Sequence, residues 1–271
     1  MNQNLINVRV WGDYACYTRP EMKVERVSYP MMTPSAARGI LEAIFWKPQM
    51  LYLIDSIKVI KRGEWTSFRR NEVTKRISLS QAKSAMAGTG EVSTIKAGGG
   101  AADATQRNML ALQSVEYIIT AEIALSEIGK HSNQVLQKYK EEIERRVRTG
   151  KCFHRPSLGV REFSADFDWV ENPNDFMPET PWSENLGLML YDVFSYKERS
   201  VGFRFLDGED YADGQVPLFA TEMPKNKKAK PISDGVLVKP SASFFRAKVE
   251  ENILDCHPNR VEIIHRKGGE N

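Results

Sequence analysis

The stretch LALQSVEYIITAEIAL at residues 110–125, followed after a polar break by VLQKYKEEIERRV at 135–147, decides the fold. The first is a continuous β-rich run, including Val115, Tyr117, Ile118, Ile119 and Ile123, and reads as one long strand. In the second, Val135, Leu136, Tyr139, Ile143 and Val147 recur at spacings of three and four, which stacks them on one face of a helix. The opposite face is charged, and i,i+4 spacing pairs Glu141 with Arg145, Glu142 with Arg146 and Glu144 with Arg148.

Upstream, Leu5 to Trp11 alternates and reads as a strand closed by Gly12 and Asp13. Thr33 is an N-cap with Pro34 at the first helical position, and Ala36, Ile40, Ala43 and Ile44 carry that helix toward the stop at Pro48. Leu51 to Ile60 makes a second strand. From Glu64 to Thr105 the pattern dissolves into charged, Ser-rich and Gly-rich sequence, which reads as an insertion with a mobile tip at 97–101. That glycine run lacks the Lys and Ser/Thr of a phosphate loop. Downstream, Cys152 to Phe163 reads as a fourth strand, interrupted by Pro156 and Gly159. The order strand, helix, strand, strand, helix, strand predicts an α+β, ferredoxin-like or RRM-like domain over 1–163, with an antiparallel sheet, two helices on one face and the other face free. Residues 164–271 predict a small antiparallel β domain from Leu186–Phe194, Val201–Leu206, Val236–Val238 and the turns Asp207-Gly208 and Asp213-Gly214. Met223 to Pro231 reads as a basic surface loop.

Composition excludes several classes. With 41% hydrophobic and 27% charged residues the chain is an ordinary folded protein, neither disordered nor fibrous. No apolar run approaches the roughly 20 residues that span a bilayer, and Met1 to Asn7 lacks a signal peptide, so no membrane partner and a cytoplasmic location are expected. Cys16, Cys152 and Cys256 are odd in number and far apart, which suits a reducing compartment. His131, His154, His257 and His265 show no paired ligand spacing, so neither a metal nor another cofactor is expected, and His154 receives no role. The formal charge of +3 decides nothing, but it is clustered: Arg69, Arg70, Lys75 and Arg76; Arg145, Arg146, Arg148 and Lys151; Lys225, Lys227, Lys228 and Lys230. Such clusters can hold phosphates or serve as solvated faces.

Four strings are more specific than periodicity: Trp11 to Ala15 (WGDYA), Met32 to Pro48 (beginning MTPSAARG and ending IFWKP), Gln106-Arg107 before Leu110, and Leu158 to Phe163 (LGVREF). In order and spacing they resemble the CRISPR-associated repeat-binding family, fifth Cas family, subtype d, over roughly the first 163 residues. That resemblance implies a metal-independent endoribonuclease of type I-C systems. It would cleave the repeat hairpin of precursor guide RNA by 2′-hydroxyl attack, leave a 2′,3′-cyclic phosphate, and keep the 5′ handle as a subunit alongside other Cas proteins. Duplex DNA stays open as a further partner, and a non-catalytic handle-binding subunit is the alternative reading.

The resemblance also implies a Tyr late in the first helix and a Lys-His pair entering the second. Here the Tyr position falls on Phe45, and the pair aligns with Lys138-Tyr139, counted back from Arg161-Glu162. A literal Lys-His pair stands earlier, at Lys130-His131, as the fallback. Lys138 is expected to hold the scissile phosphate, and Tyr139 to move a proton if neighbours lower its pKa. Expected RNA contacts are Trp46, Lys47, Arg107, Arg145, Arg146, Arg148 and Arg161.

Overall fold

The computed structural model describes residues 4–90, 94–98, 100–131, 135–194, 199–200 and 241–265. In chain order the elements are β1 (Leu5–Ala15), β2 (Arg26–Val27), α1 (Pro34–Ile44), β3 (Met50–Lys61), β4 (Glu64–Val73), α2 (Leu79–Met86), β5 (Ala104–Leu125), α3 (Glu127–His131), α4 (Leu136–Arg148), β6 (Asp166–Trp169), β7 (Glu184–Asp192), β8 (Ser243–Glu250), β9 (Ile253–Asp255) and β10 (Ile263–His265). These strands form one large, mostly antiparallel sheet whose main path is β10-β8-β9-β3-β5-β1-β6. Strand β5 is its spine. It pairs with β1, β3 and β4 antiparallel and with the short β2 in parallel.

The core lies between this sheet and the two longer helices. Ile6, Val8 and Val10 of β1, Tyr117, Ile119 and Ala121 of β5 and Ile57 and Val59 of β3 pack with Ile40, Leu41 and Ile44 of α1 and Ile143 and Val147 of α4. The helices start and stop for local reasons. Thr33 Oγ1 accepts the Ala36 N–H at 3.3 Å, with Pro34 in the first turn. Helix α4 ends where Gly150 adopts φ +66, with Gly150 N–H donating to the Val147 carbonyl and Lys151 N–H to that of Arg146.

Four expectations need correction. Strand β1 runs through Gly12 and Asp13 to Ala15, because Gly12 is a close-approach residue: a Cβ there would lie 2.7 Å from Leu158 Cδ1 and 2.8 Å from the Ser164 carbonyl. The fourth strand is not Cys152 to Phe163. That stretch hands its backbone groups to other partners: Phe153 and His154 N–H donate to the Ala43 carbonyl, and the Leu158 carbonyl accepts from Cys16, so the strand beside β1 is β6 at 166–169. The region 64–105 is not patternless. Its first ten residues are β4, paired along the outer half of β5, and Ser78 and Gln81 form a capping box that opens α2. Finally, the second sheet face is not free. Ile60, Ile118 and Val170 are buried there with Phe176 packed on them, and Lys58 Nζ donates to the Pro173 carbonyl at 2.9 Å.

In the C-terminal region, β7 replaces the predicted 186–194 strand within two residues. The predicted features at 201–206, 207–208, 213–214, 223–231 and 236–238 lie outside the described residues. Strands β6, β8, β9 and β10 carry no signal that the sequence reading picks out. No described helix is long and apolar enough to cross a membrane.

Candidate active site

The C-terminal ends of α1 and α4 meet. After Gly150 the chain turns back over α1, where Phe153 and His154 N–H both donate to the Ala43 carbonyl at 2.9 Å. Phe45 leaves α1 in extended conformation, and its carbonyl accepts from the Tyr52 hydroxyl at 2.8 Å. Arg146 closes the junction. Its Nη1 donates to the Ile44 carbonyl at 3.3 Å, its Nε to Glu142 at 2.7 Å, and its guanidinium lies 5.1 Å from the Phe45 ring centre.

This junction brings Phe45 beside Tyr139, with ring centres 6.3 Å apart and planes tilted by 35°. Two positions 94 residues apart in sequence therefore share one place, with exposed Lys138 one residue before Tyr139 in the first turn of α4. Lys138 has no ion-pair partner among the described residues. Val135 supplies no side-chain cap to α4, and the Lys138 N–H donates to the Val135 carbonyl at 3.2 Å. Tyr139, by contrast, is buried, and burial pushes its phenol upward, away from the neutral range that proton transfer needs.

The fallback pair flanks the same turn from the other side. Ser126 Oγ donates to the Pro48 carbonyl at 2.8 Å, and a Cβ on Gly129 would lie 2.1 Å from the Gln49 carbonyl, so α3 is pressed against the turn that carries Trp46 and Lys47. Lys130 pairs with Glu127 at 2.7 Å and His131 is exposed at the end of α3. Trp46 is half-buried and Lys47 exposed.

The expected arginines divide. On α4 they are engaged with carboxylates: the predicted pairs Glu142–Arg146 and Glu144–Arg148 form, whereas Arg145 takes Glu142, at 2.8 Å, instead of Glu141, which Gln137 engages. Two guanidinium groups hold the Glu142 carboxyl down at about 2. Arg148 bridges Glu144, at 2.9 Å, and Glu171, and stacks on Trp169. Arg107 lies instead on the outer half of β5, 3.7 Å from Glu25, and Arg161 is exposed in the loop that follows Gly159. Among the described residues no group of three His, Cys, Asp or Glu side chains is placed to hold a metal ion.

Phe153 and His154, to which the sequence assigns no role, both sit at this junction. The available signal is their place directly after the helix-ending Gly150, which obliges the chain to turn back.

Residues 5–256 match the family described as CRISPR-associated protein (Cas_Cas5), subtype Cas5d. The chain belongs to this family. A relative from Mannheimia succiniciproducens, named CRISPR pre-crRNA endoribonuclease Cas5d, is 43% identical over 97% of this chain and 99% of its own. A Cas5d of the same name from Thermus thermophilus is 41% identical over 96% of this chain and 95% of its own. A solved structure described as a CRISPR-associated protein covers 93% of this chain and 90% of its own with a TM-score of 0.55 at 19% identity, a likeness of fold.

Proposed function

We propose that this Cas5d chain is the endoribonuclease that cleaves the repeat hairpin of precursor guide RNA. The reading is carried by the near full-length match to two relatives named for that activity. The geometry supports it with a junction where exposed Lys138 and Lys47 lie close in sequence to the paired rings of Tyr139 and Phe45. The strand order β3-β5-β1-β6, with α1 and α4 packed into one core, fits the ferredoxin-like arrangement proposed for 1–163, and strands β7 to β10 extend the same sheet.

In this reading side chains carry the reaction. A 2′-hydroxyl loses its proton and attacks the adjacent phosphorus in line, the bond to the 5′-oxygen breaks, and that oxygen is protonated as it leaves. Lys138 holds the phosphate as charge develops on it. The product would carry a 2′,3′-cyclic phosphate, and the chain would retain the 5′ handle as a cytoplasmic subunit with other type I-C Cas proteins, leaving duplex DNA to be tested separately.

Two observations favour the alternative, a handle-binding subunit without cleavage: Phe45 has no hydroxyl, and the Tyr139 phenol is raised by burial. Labelled repeat RNA incubated with the protein in EDTA separates them. Cleavage to a cyclic-phosphate end is expected. Intact RNA with tight binding would select the alternative, and activity that returns with magnesium would overturn the metal-independent scheme.

A further inference from the structure

Phe153 is 75% exposed, in a chain whose other aromatic rings at the α1–α4 junction, Phe45 and Tyr139, are 5% exposed. It is not on a loose loop. Its N–H donates to the Ala43 carbonyl at 2.9 Å, the next N–H does the same, and Lys151 N–H is fixed to the Arg146 carbonyl at 2.9 Å. Its ring is further held by His154, edge to face, with centres 4.3 Å apart. The residues around it in sequence, Lys151, His154 and Arg155, are exposed and polar. A protein-docking surface would need exposed apolar neighbours around such a ring, and its one apolar sequence neighbour, Cys152, is half-buried and packed on the core. A flat ligand with a negative charge needs what is present: a ring already fixed in place and cations beside it. Arg155 is held to Asp166 at 2.7 Å, whereas Lys151 has no ion-pair partner among the described residues.

We infer that the segment Lys151–His154 is a nucleotide subsite, in which Phe153 stacks on one unpaired base flanking the repeat hairpin and Lys151 holds the adjoining phosphate. The inference rests on the RNA-processing reading above and extends it to the single-stranded neighbour of the stem. Because the backbone is pinned by both helices, stacking orders little that is not already ordered. Base stacking on an aromatic ring tolerates any sequence, so this subsite measures the presence of an unpaired nucleotide, not its identity.

The test uses the full chain and its own repeat hairpin, made uncleavable by a 2′-deoxy sugar at the scissile position. Two forms are compared: one with unpaired nucleotides on both sides of the stem, and one trimmed to the stem. 2-Aminopurine is placed at each unpaired position in turn. One position is expected to be quenched on binding. Phe153→Ala should abolish that quenching and weaken the flanked RNA by about 5- to 150-fold, the range for one stacked base. It should leave the trimmed stem unchanged, and Phe153→Trp should keep both signals. Lys151→Ala should lower the slope of log affinity against log salt by about 0.7 on the flanked RNA. Equal affinity of wild type and Phe153→Ala for the flanked RNA, while wild type binds both forms, would overturn the subsite and leave the wider reading intact. Loss of association with other subunits at unchanged RNA affinity would assign Phe153 to a protein contact and overturn it too. If wild type bound neither RNA, both the reading and the subsite would fall.

Discussion

Two charged networks lean on the same pair of helices, and one is sealed while the other is open. Beneath α1, Arg38 is 8% exposed and grips Asp192 of β7 with two bonds of 2.8 and 2.9 Å, while its third nitrogen reaches Glu42 at 2.5 Å. Buried Arg199 completes the set at 3.1 Å from Glu42, and burial together with the neighbouring Arg38 pushes its guanidinium down to about 10. On α4, Arg145, Arg146 and Arg148 meet Glu142, Glu144 and Glu171 near or at the surface. Counting ion pairs makes the two look alike. Solvent separates them: a sealed pair cannot exchange its partner for water, whereas surface pairs can release a cation to a phosphate with little change in stability.

The largest expected effect follows from the sealed network. Arg38→Ala removes the two-bond partner of Asp192, leaving it Arg199 at 3.9 Å and the Val193 and Phe194 N–H groups, and should reduce stability by about 3 kcal/mol. Urea unfolding measures it, and a loss below about 1 kcal/mol would place Arg38 with the surface pairs.

Next comes the cation outside either network. Lys138→Ala should slow cleavage of bound repeat RNA by roughly 10²- to 10³-fold in single-turnover assays. Its unfolding midpoint should barely move, and His131→Ala should change the rate little. A reversal of the two variants would move the site to Lys130 and His131.

The open network is probed by replacing Arg145, Arg146 and Arg148 together with Ala. If these arginines leave their glutamates for RNA, the salt dependence of binding flattens by about 0.7–0.9 for each phosphate no longer neutralised. An unchanged slope would mean that α4 keeps its ion pairs in the complex and the RNA path runs elsewhere.

The smallest effect is a pH dependence. The Glu142 carboxyl is lowered to about 2 in the folded chain, so its contribution is complete above the unfolded value of ~4.3 and fades as pH falls toward about 2. Screening at this half-open site keeps the contribution to ~1 kcal/mol or less. Glu142→Gln should erase that part of the acid titration, and a wild-type curve retained by the variant would show that the pair is not felt.

How much of this was legible depends on whether the cause was local. Helix α1 was readable because Thr33 and Pro34 set its start within one turn, and α4 because its apolar spacing is uninterrupted. Strand β4 was hidden, since its composition is polar and its conformation comes from pairing with β5 across the chain. The stretch 152–163 has strand-like composition, but its amides and carbonyls go to α1 and β1 instead of a ladder. At the candidate site, only the family resemblance linked Phe45 with Tyr139, since nothing in composition or periodicity joins two positions so far apart in sequence. The burial that raises the Tyr139 phenol did not, because only packing decides it. Arg38 lay inside a matched string with nothing to mark it as structural, as its partner Asp192 stands 154 residues away.

The order of strands in the sheet also sets a timetable for synthesis. Strand β1 lies one strand in from the β6 edge of the sheet, and its neighbours are residues 112–122 on one side and 166–169 on the other. At roughly 5–20 residues per second, β1 leaves the ribosome several seconds before its first partner exists. Strand β3 (Met50–Lys61) waits longer, because its second neighbour, β9 (Ile253–Asp255), is made far later in the chain. A nascent chain of this family therefore carries open strand edges until β9 has emerged, which makes completion of the sheet a late event and leaves those edges to be shielded meanwhile.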